Sequence, residues 1–181
     1  HLPGETLDMD EVFERILVEY DSRRSVFSMG KVGVLWELAL ETGRFRSAHD
    51  LGYQTVADID PASGAVTYRD GIIPVIGEEV YWCPSTAGFK SWRAMSYYPE
   101  TEAFLIPVNL NCETAVFGPV DRVAGGGGTG PVRRTNHHHP DSGEQLGEFL
   151  SMSMRTGEVL WRRRFRTPIT SAALTTAGGL A

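Results

Sequence analysis

Residues 30–45 read GKVGVLWELALETGRF, and this run has the most regular pattern in the chain. Apolar side chains occupy alternate positions before a Glu-Thr-Gly turn: Val32, Val34, Trp36, Leu38 and Leu40. A period of two over this length is typical of a half-buried β-strand. Phe45 follows the turn, so the run predicts two antiparallel strands joined as a hairpin.

Turns of the same kind recur along the chain. Residues 62–64 and 155–157 again end in glycine, which supplies the positive φ such turns need, and residues 100–102 form a version without glycine. Residues 103–108 and 149–154 read as further strands, whereas residues 9–20 predict a short helix or loop and then a strand. Repeated hairpins predict an all-β fold, which could be a propeller blade array, a sandwich or a barrel.

A segment rich in glycine, proline and histidine covers residues 119–147 and predicts a loop. Its three histidines at 137–139 suggest a metal site, but three consecutive side chains on a regular strand cannot converge on one ion, so we favour the loop. Further along, Arg162, Arg163, Arg164 and Arg166 predict a solvated strand edge.

Composition excludes some classes of function. With 17 Lys and Arg against 23 Asp and Glu, the formal net charge is -6, which disfavours a surface for nucleic acid or anionic lipid. No window approaches the roughly 20 apolar residues of a membrane-spanning helix. The chain opens at His1 without methionine and stops inside an apolar run, so we expect a segment truncated at both ends.

The chain has two cysteines, Cys83 and Cys112. Their spacing leaves two interpretations open, either a pair of buried thiols in a reduced protein or a disulfide. A zinc site is disfavoured because neither cysteine has a second cysteine or a histidine at ligand spacing.

Three segments together resemble the quinoproteins that use pyrroloquinoline quinone (PQQ), the group that includes methanol and ethanol dehydrogenases. The first is residues 30–43, where a basic residue and a glycine precede an apolar strand and a Thr-Gly turn. The second is residues 83–112, with CPS at 83–85, GFKSW at 88–92 and MSYYP at 95–99. The third joins RTGEVLW at 155–161 to TAGGL at 176–180.

This resemblance implies a partial β-propeller of adjacent four-stranded antiparallel blades, forming one domain over residues 1–181. It implies a periplasmic dehydrogenase that oxidises an alcohol or a sugar hydroxyl. In the family a carboxylate near a bound Ca2+ or lanthanide removes the hydroxyl proton, PQQ accepts the hydride, and electrons pass to cytochrome c or a quinone. The base and the metal ligands precede the Leu-Pro that resembles Leu2-Pro3, so we expect no catalytic residue after His1 and set Asp8 and Asp10 aside.

The resemblance also implies roles for single residues. Lys31 stands where the family has a basic residue that donates to the quinone oxygens of PQQ. Ser91 and Trp92 stand beside the cofactor, although methanol dehydrogenases have asparagine at the place of Ser91. Residues 169–172 lack the tryptophan and glycine pair that alcohol dehydrogenases usually carry there. The alternatives are a solvated lysine at position 31 and a plain core tryptophan at position 92.

In the methanol dehydrogenase branch two cysteines at the places of Cys83 and Cys112 are bonded, which implies a disulfide here. A rival interpretation is a non-catalytic propeller scaffold for protein assembly. Such a scaffold would need neither a cation at position 31 nor paired cysteines around a strand pair. The segment by itself is expected to be inactive and poorly stable, because each blade buries its face only against its neighbours.

Overall fold

The computed structural model describes residues 2–120, 125 and 130–180. These residues form β-strands and two short 3-10 helices, Pro99–Thr101 and Pro140–Ser142. The strands are β1 (Ile16–Tyr20), β2 (Arg23–Met29), β3 (Val34–Ala39), β4 (Phe45–Asp50), β5 (Ala57–Ile59), β6 (Val66–Tyr68), β7 (Glu79–Trp82), β8 (Ser96–Tyr98), β9 (Ala103–Asn109), β10 (Asn111–Phe117), β11 (Val132–His138), β12 (Gly147–Ser153) and β13 (Val159–Phe165). No helix in this part of the chain is long and apolar enough to span a membrane.

The strands form antiparallel sheets that match propeller blades. The first blade is a four-stranded meander in the order β1-β2-β3-β4, and the second blade has the order β13-β12-β9-β8. A three-stranded sheet, β11-β10-β7, and the hairpin β5-β6 complete the described structure. The chain leaves the second blade after β9, adds β10 and β11 to the β7 sheet, and returns to form β12. The all-β, partial-propeller architecture is therefore confirmed.

One hydrophobic core joins the two blades. The first blade contributes Phe27, Met29 and Leu35, and the second contributes side chains from β9 and β12 such as Phe104 and Leu150. The rings of Phe27 and Phe104 lie 5.0 Å apart at their centroids. Each blade therefore buries its apolar face against its neighbour, as alternation of side chains along the strands allows.

The predicted turns lie where the sequence placed them. Residues 41–43, 62–64 and 155–157 connect β3 to β4, β5 to β6 and β12 to β13. The version without glycine connects β8 to β9, and there Glu102 takes the left-handed conformation with a φ of 47°.

The structure also bears on the predictions for residues 119–147 and 9–20. The loop predicted over residues 119–147 contains strand β11, so that prediction was wrong for Val132–His138, while residues 121–124 and 126–129 lie outside the described residues. β11 forms because its backbone pairs along the whole length of β10, although its own side chains are mostly exposed. In residues 9–20, the loop alternative holds, followed by the strand β1.

The basic run lies on β13, which is an edge strand of the second blade as predicted. Two of its arginines are nevertheless paired with a buried acid. Arg164 Nε donates to Glu148 at 2.7 Å, and Arg162 and Arg164 both donate to the Tyr53 hydroxyl. The Glu148 side chain is 0% exposed, so these arginines compensate a buried charge that would otherwise be costly.

The blades also meet where the β12–β13 turn lies against His49 of β4. Gly157 has a φ of 71°, and a Cβ at this position would overlap the imidazole ring. The His49 Nε2 atom is buried without a hydrogen-bond partner. Burial lowers the pKa of His49 below its ordinary value, and the charge of Glu37 opposes that effect.

We expect the free energy of unfolding to decrease as the pH falls from about 7 to about 5, because the unfolded chain binds a proton at His49 more readily than the folded chain does. The variant His49→Gln removes the titrating group, so its stability should depend less on pH. Urea titrations at both pH values measure the difference. His138→Gln, on the exposed side of β11, is the control that should keep the original slope. Equal slopes for His49→Gln and the unmodified protein would contradict the prediction.

Candidate functional site

Three segments meet at one end of the first blade, and we call them the site loops: residues 2–15, 30–33 and 83–95. Backbone hydrogen bonds join them. The Lys31 N–H donates to the Asp10 carbonyl at 3.0 Å, and the Phe89 N–H donates to the Lys31 carbonyl at 2.8 Å. The three residues predicted to face the cofactor, Lys31, Ser91 and Trp92, therefore lie on adjoining segments.

Lys31 lies in the turn between β2 and β3, and its side chain is 8% exposed. Its Nζ donates to the Asp8 carbonyl at 2.7 Å and to Asp8 Oδ2 at 3.0 Å. The same Nζ lies 2.8 Å from Asp10 Oδ2. Three acceptors match the three N–H groups of an ammonium, so Lys31 is held in an ion-paired arrangement. The alternative of a solvated strand-end lysine is wrong.

The two carboxylates held by Lys31 are more exposed than the lysine. The side chains of Asp8 and Asp10, which we call the carboxylate pair, are 60% and 45% exposed. One ammonium between two carboxylates leaves an excess of one negative charge at this place. Carboxylate oxygens are the ligands that calcium prefers, and a carboxylate is also a proton acceptor.

The backbone of Asp8 is left-handed, with a φ of 64°. Aspartate and asparagine tolerate this conformation better than most residues, and such conformations cluster at functional sites. Sequence reasoning set both members of the carboxylate pair aside. The signal in the sequence was only an Asp-x-Asp pattern, and Lys31 lies too far along the chain to be connected with it without the fold.

Trp92 and Ser91 differ in exposure. The Trp92 side chain is 81% exposed, which excludes the alternative of a plain core tryptophan. One edge of its ring meets Phe13 in a T-shaped contact with the centroids 5.2 Å apart. Ser91 is buried. An exposed indole beside the carboxylate-bearing loop provides an aromatic surface on which a flat ligand can stack.

The glycines on either side of Lys31 stand where the chain is closely packed. A Cβ at Gly30 would collide with the carboxyl group of Glu11, and a Cβ at Gly33 would press on Phe89. Gly33 also has a φ of 79°. Both glycines therefore make room for neighbouring side chains of this chain.

Glu11 follows the carboxylate pair and differs from it. Both of its carboxyl oxygens are shielded from solvent. Burial raises the pKa of Glu11 to about 8, against the opposing influence of Arg15, Lys90 and the Val32 N–H. This carboxyl is therefore mostly protonated at neutral pH and adds little to the negative charge of the carboxylate pair.

Cys83 and Cys112 form a disulfide, with their Cα atoms 4.2 Å apart. Cys83 follows β7 and Cys112 is the second residue of β10, so the bond joins two paired strands just where the 83–95 connection departs. The pairing that the resemblance implied is therefore present. It fixes one end of a site loop to the β7 sheet.

His139 lies beside this disulfide. Its ligand atoms and those of the two cysteines form the single close group of three such residues found in the described part of the chain. Both sulfurs are bonded to each other, so this group offers one imidazole and is not a metal site. The imidazole instead bonds to the Tyr53 carbonyl at 2.9 Å, whereas His137 pairs with the Thr114 hydroxyl.

The segment 169–172, which departs from the alcohol dehydrogenase pattern, is anchored by Asn109. The Ile169 N–H donates to Asn109 Oδ1 at 2.7 Å. Beside it lies a mainly apolar cavity of about 500 Å³, lined among others by Ile169, Phe149 and Phe165. This cavity lies against the second blade, and one of its lining residues, Ala173, donates its backbone N–H to the Ala94 carbonyl of the 83–95 site loop at 2.8 Å.

The antiparallel blades and the disulfide between paired strands agree with what the resemblance to quinoproteins implied. No protein-family model matches the chain. The XoxF dehydrogenase of Paracoccus denitrificans is 28% identical over 195 aligned positions, which cover 97% of this chain and 32% of that protein. Lupanine 17-hydroxylase (cytochrome c) of a Pseudomonas species is 28% identical over 177 positions, covering 90% of this chain and 23% of that protein.

A solved structure supports the same fold. A europium-containing methanol dehydrogenase superposes with a TM-score of 0.86 at 20% identity, covering 96% of this chain and 31% of that chain. The resemblance to PQQ-dependent dehydrogenases over most of the chain is thereby confirmed. The chain spans about a third or less of the length of the curated relatives it matches.

Proposed function

We propose that this chain is part of a PQQ-dependent dehydrogenase that oxidises an alcohol, and that Asp8, Asp10 and Lys31 belong to its reaction centre. The observation that carries the proposal is the carboxylate pair on one buried ammonium, beside the exposed ring of Trp92. A sugar hydroxyl, which has the same reacting group, is the second substrate class.

Asp8 is the residue best placed to take the hydroxyl proton. Its Oδ2 atom is bonded to Lys31, and no other group in the described residues bonds its Oδ1 atom. Oδ1 can therefore accept a proton while Lys31 holds the carboxylate in position. The expectation that the base precedes His1 stays a prediction, and Asp8 is the candidate that the geometry adds.

The residues present fit the two groups that relatives of this class use. The negative excess of the carboxylate pair suits a calcium or lanthanide ion, for which Asp8 and Asp10 would supply oxygen ligands and the rest of the protein the remainder. Trp92 would give PQQ an aromatic surface, and PQQ supplies the hydride acceptor when it is bound. Lys31 would then stabilise negative charge at the reacting centre.

The rival interpretation, a non-catalytic scaffold, has less support. It requires neither the buried cation at position 31 nor the disulfide, and the chain has both. The disulfide also supports a location in an oxidising compartment such as the periplasm. The name of lupanine 17-hydroxylase (cytochrome c) supports a cytochrome c as electron acceptor, with a quinone as the other class.

The test uses the full-length protein loaded with PQQ and either Ca2+ or a lanthanide. Reduction of an artificial electron acceptor by primary alcohols is measured for the unmodified protein and for Asp8→Asn. Asparagine keeps the shape and the left-handed backbone but cannot accept the proton. Turnover should fall about a thousandfold, within the range for a lost general base.

Asp21→Asn is the matched control. Asp21 also has a left-handed backbone and an ion pair with an arginine, but it lies in the β1–β2 turn, outside the site loops. Turnover of this control should equal that of the unmodified protein. Full turnover in Asp8→Asn would remove Asp8 from the reaction centre, and no alcohol-dependent turnover in the loaded unmodified protein would contradict the proposed function.

A further inference from the structure

We propose that the ion pair between the buried Lys90 and the partly exposed Glu14 is a positioning pair that holds Trp92 against the carboxylate-bearing loop, so that cofactor affinity depends on it. This inference rests on the proposed function. Neither residue touches the carboxylate pair in the structure. Both act through the loops they join.

The pair connects two site loops that are far apart in sequence. The Lys90 side chain is 0% exposed, and its Nζ donates to Glu14 Oε2 at 2.5 Å. The other oxygen of the same carboxylate, Oε1, accepts the backbone N–H of Met95 at 2.8 Å. Glu14 therefore binds the loop on both sides of Trp92, through the side chain of Lys90 and through the backbone of Met95.

Aromatic contacts continue this arrangement to the exposed ring. The Lys90 ammonium lies 5.2 Å from the centroid of Phe13, and Phe13 in turn meets the edge of Trp92. Trp92 lies two residues after Lys90 in the sequence, and Phe13 immediately precedes Glu14. The indole of Trp92 therefore contacts Phe13, and the ammonium of the ion pair packs against the same Phe13 ring.

Stability alone gives a weak reason for this pair. Burial lowers the pKa of Lys90, while hydrogen bonding and the charge of Glu14 oppose that effect. Replacing a buried ion pair by apolar groups of similar volume is often neutral or stabilising. We therefore attribute the buried charge of Lys90 to positioning. The ion pair with Glu14 and the hydrogen bond from the Met95 N–H to the same carboxylate together fix the relative position of two irregular loops.

The experiment compares the unmodified full-length protein with the double variant Lys90→Met/Glu14→Gln. Methionine keeps the volume of the lysine stem, and glutamine keeps an acceptor for the Met95 N–H, so no charge is left unpaired. Affinity is measured by titrating PQQ and following the quenching of protein fluorescence. The dissociation constant should rise about tenfold, as for other residues that orient ligands from behind.

Hydrogen–deuterium exchange of the PQQ-free protein supplies a second measurement. The peptide covering residues 88–95 should exchange faster in the double variant, because the loop loses its anchor. Phe13→Leu keeps the ion pair but removes the aromatic contact with Trp92, so it should weaken PQQ binding as well and serves if the double variant does not fold.

Arg46→Met/Glu37→Gln is the matched control. It removes another ion pair with a buried carboxylate, between β3 and β4, whose hydrogen-bond partners Tyr20, Ser25 and Ser47 lie outside the site loops, and it should leave the PQQ dissociation constant unchanged. An unchanged dissociation constant in both Lys90→Met/Glu14→Gln and Phe13→Leu would overturn the positioning role while the proposed function stands. If the unmodified protein binds no PQQ, both proposals fail.

Discussion

Replacing Lys31 by methionine is expected to lower PQQ-dependent turnover about a hundredfold, equivalent to roughly 3 kcal/mol of transition-state stabilisation. Lys31 pairs with both Asp8 and Asp10, and it would sit beside the group that gains negative charge during the reaction. Methionine fills the same space without the charge. Steady-state rates with an artificial electron acceptor give the magnitude.

Folding should be affected far less than turnover. The carboxylates left behind are 60% and 45% exposed, so water can solvate them once the ammonium is gone. Lys31→Arg keeps the charge and should recover part of the rate, whereas Arg24→Met, which breaks an exposed pair on β2, should leave the rate unchanged. A Lys31→Met protein that turns over as fast as the unmodified one would remove Lys31 from the reaction centre.

Removing the disulfide with Cys83→Ser/Cys112→Ser should produce the largest loss of stability. The bond closes a loop across a sequence separation of 29. Opening such a loop restores conformational entropy to the unfolded chain and costs about 3 kcal/mol in the chain-entropy picture. Denaturation in urea, followed by tryptophan fluorescence, should show a lower midpoint.

The disulfide variant also tests the site, because Cys83 begins the connection that carries Ser91 and Trp92. A reductant should lower the midpoint of the unmodified protein under denaturing conditions but leave that of the double serine variant unchanged. Equal free energies of unfolding for the two proteins in the absence of reductant would show that the bond does not stabilise the fold.

Strands with one buried face could be predicted from the sequence. The alternation in residues 30–40 identified β3, because a side chain on a pleated strand faces the core at every second position. The turns were visible for a similar reason, since glycine at a fixed place marks a local need for positive φ. β11 could not be predicted in this way. It pairs along β10 while exposing nearly all its side chains, so no hydrophobic period marks it.

The residues of the candidate site also differ in how far the sequence predicted them. The cysteines, Lys31 and Trp92 were found through a pattern of residue types; the disulfide is present in the structure, and the contact of Lys31 and Trp92 with a cofactor stays a prediction. The packing around Gly30 and Gly33 could not be predicted from the sequence, because the neighbours that fill the space at a missing Cβ come from distant parts of the chain. Asp8 and Asp10 were set aside because the resemblance places the base and the metal ligands before His1, and their shared contact with Lys31 is visible only in the fold.

By itself, the sequence determined the strands with a buried face, the turns between them and the family resemblance, since these depend on local periodicity and on residue types at short spacing. Only the tertiary structure decided that Asp8 and Asp10 share the ammonium of Lys31 and that Glu14 grips Lys90 beside Trp92. Such ion pairs depend on where irregular loops are held in space. The positions of these loops follow from the packing of the blades and from the disulfide, and no local sequence pattern predicts either of them.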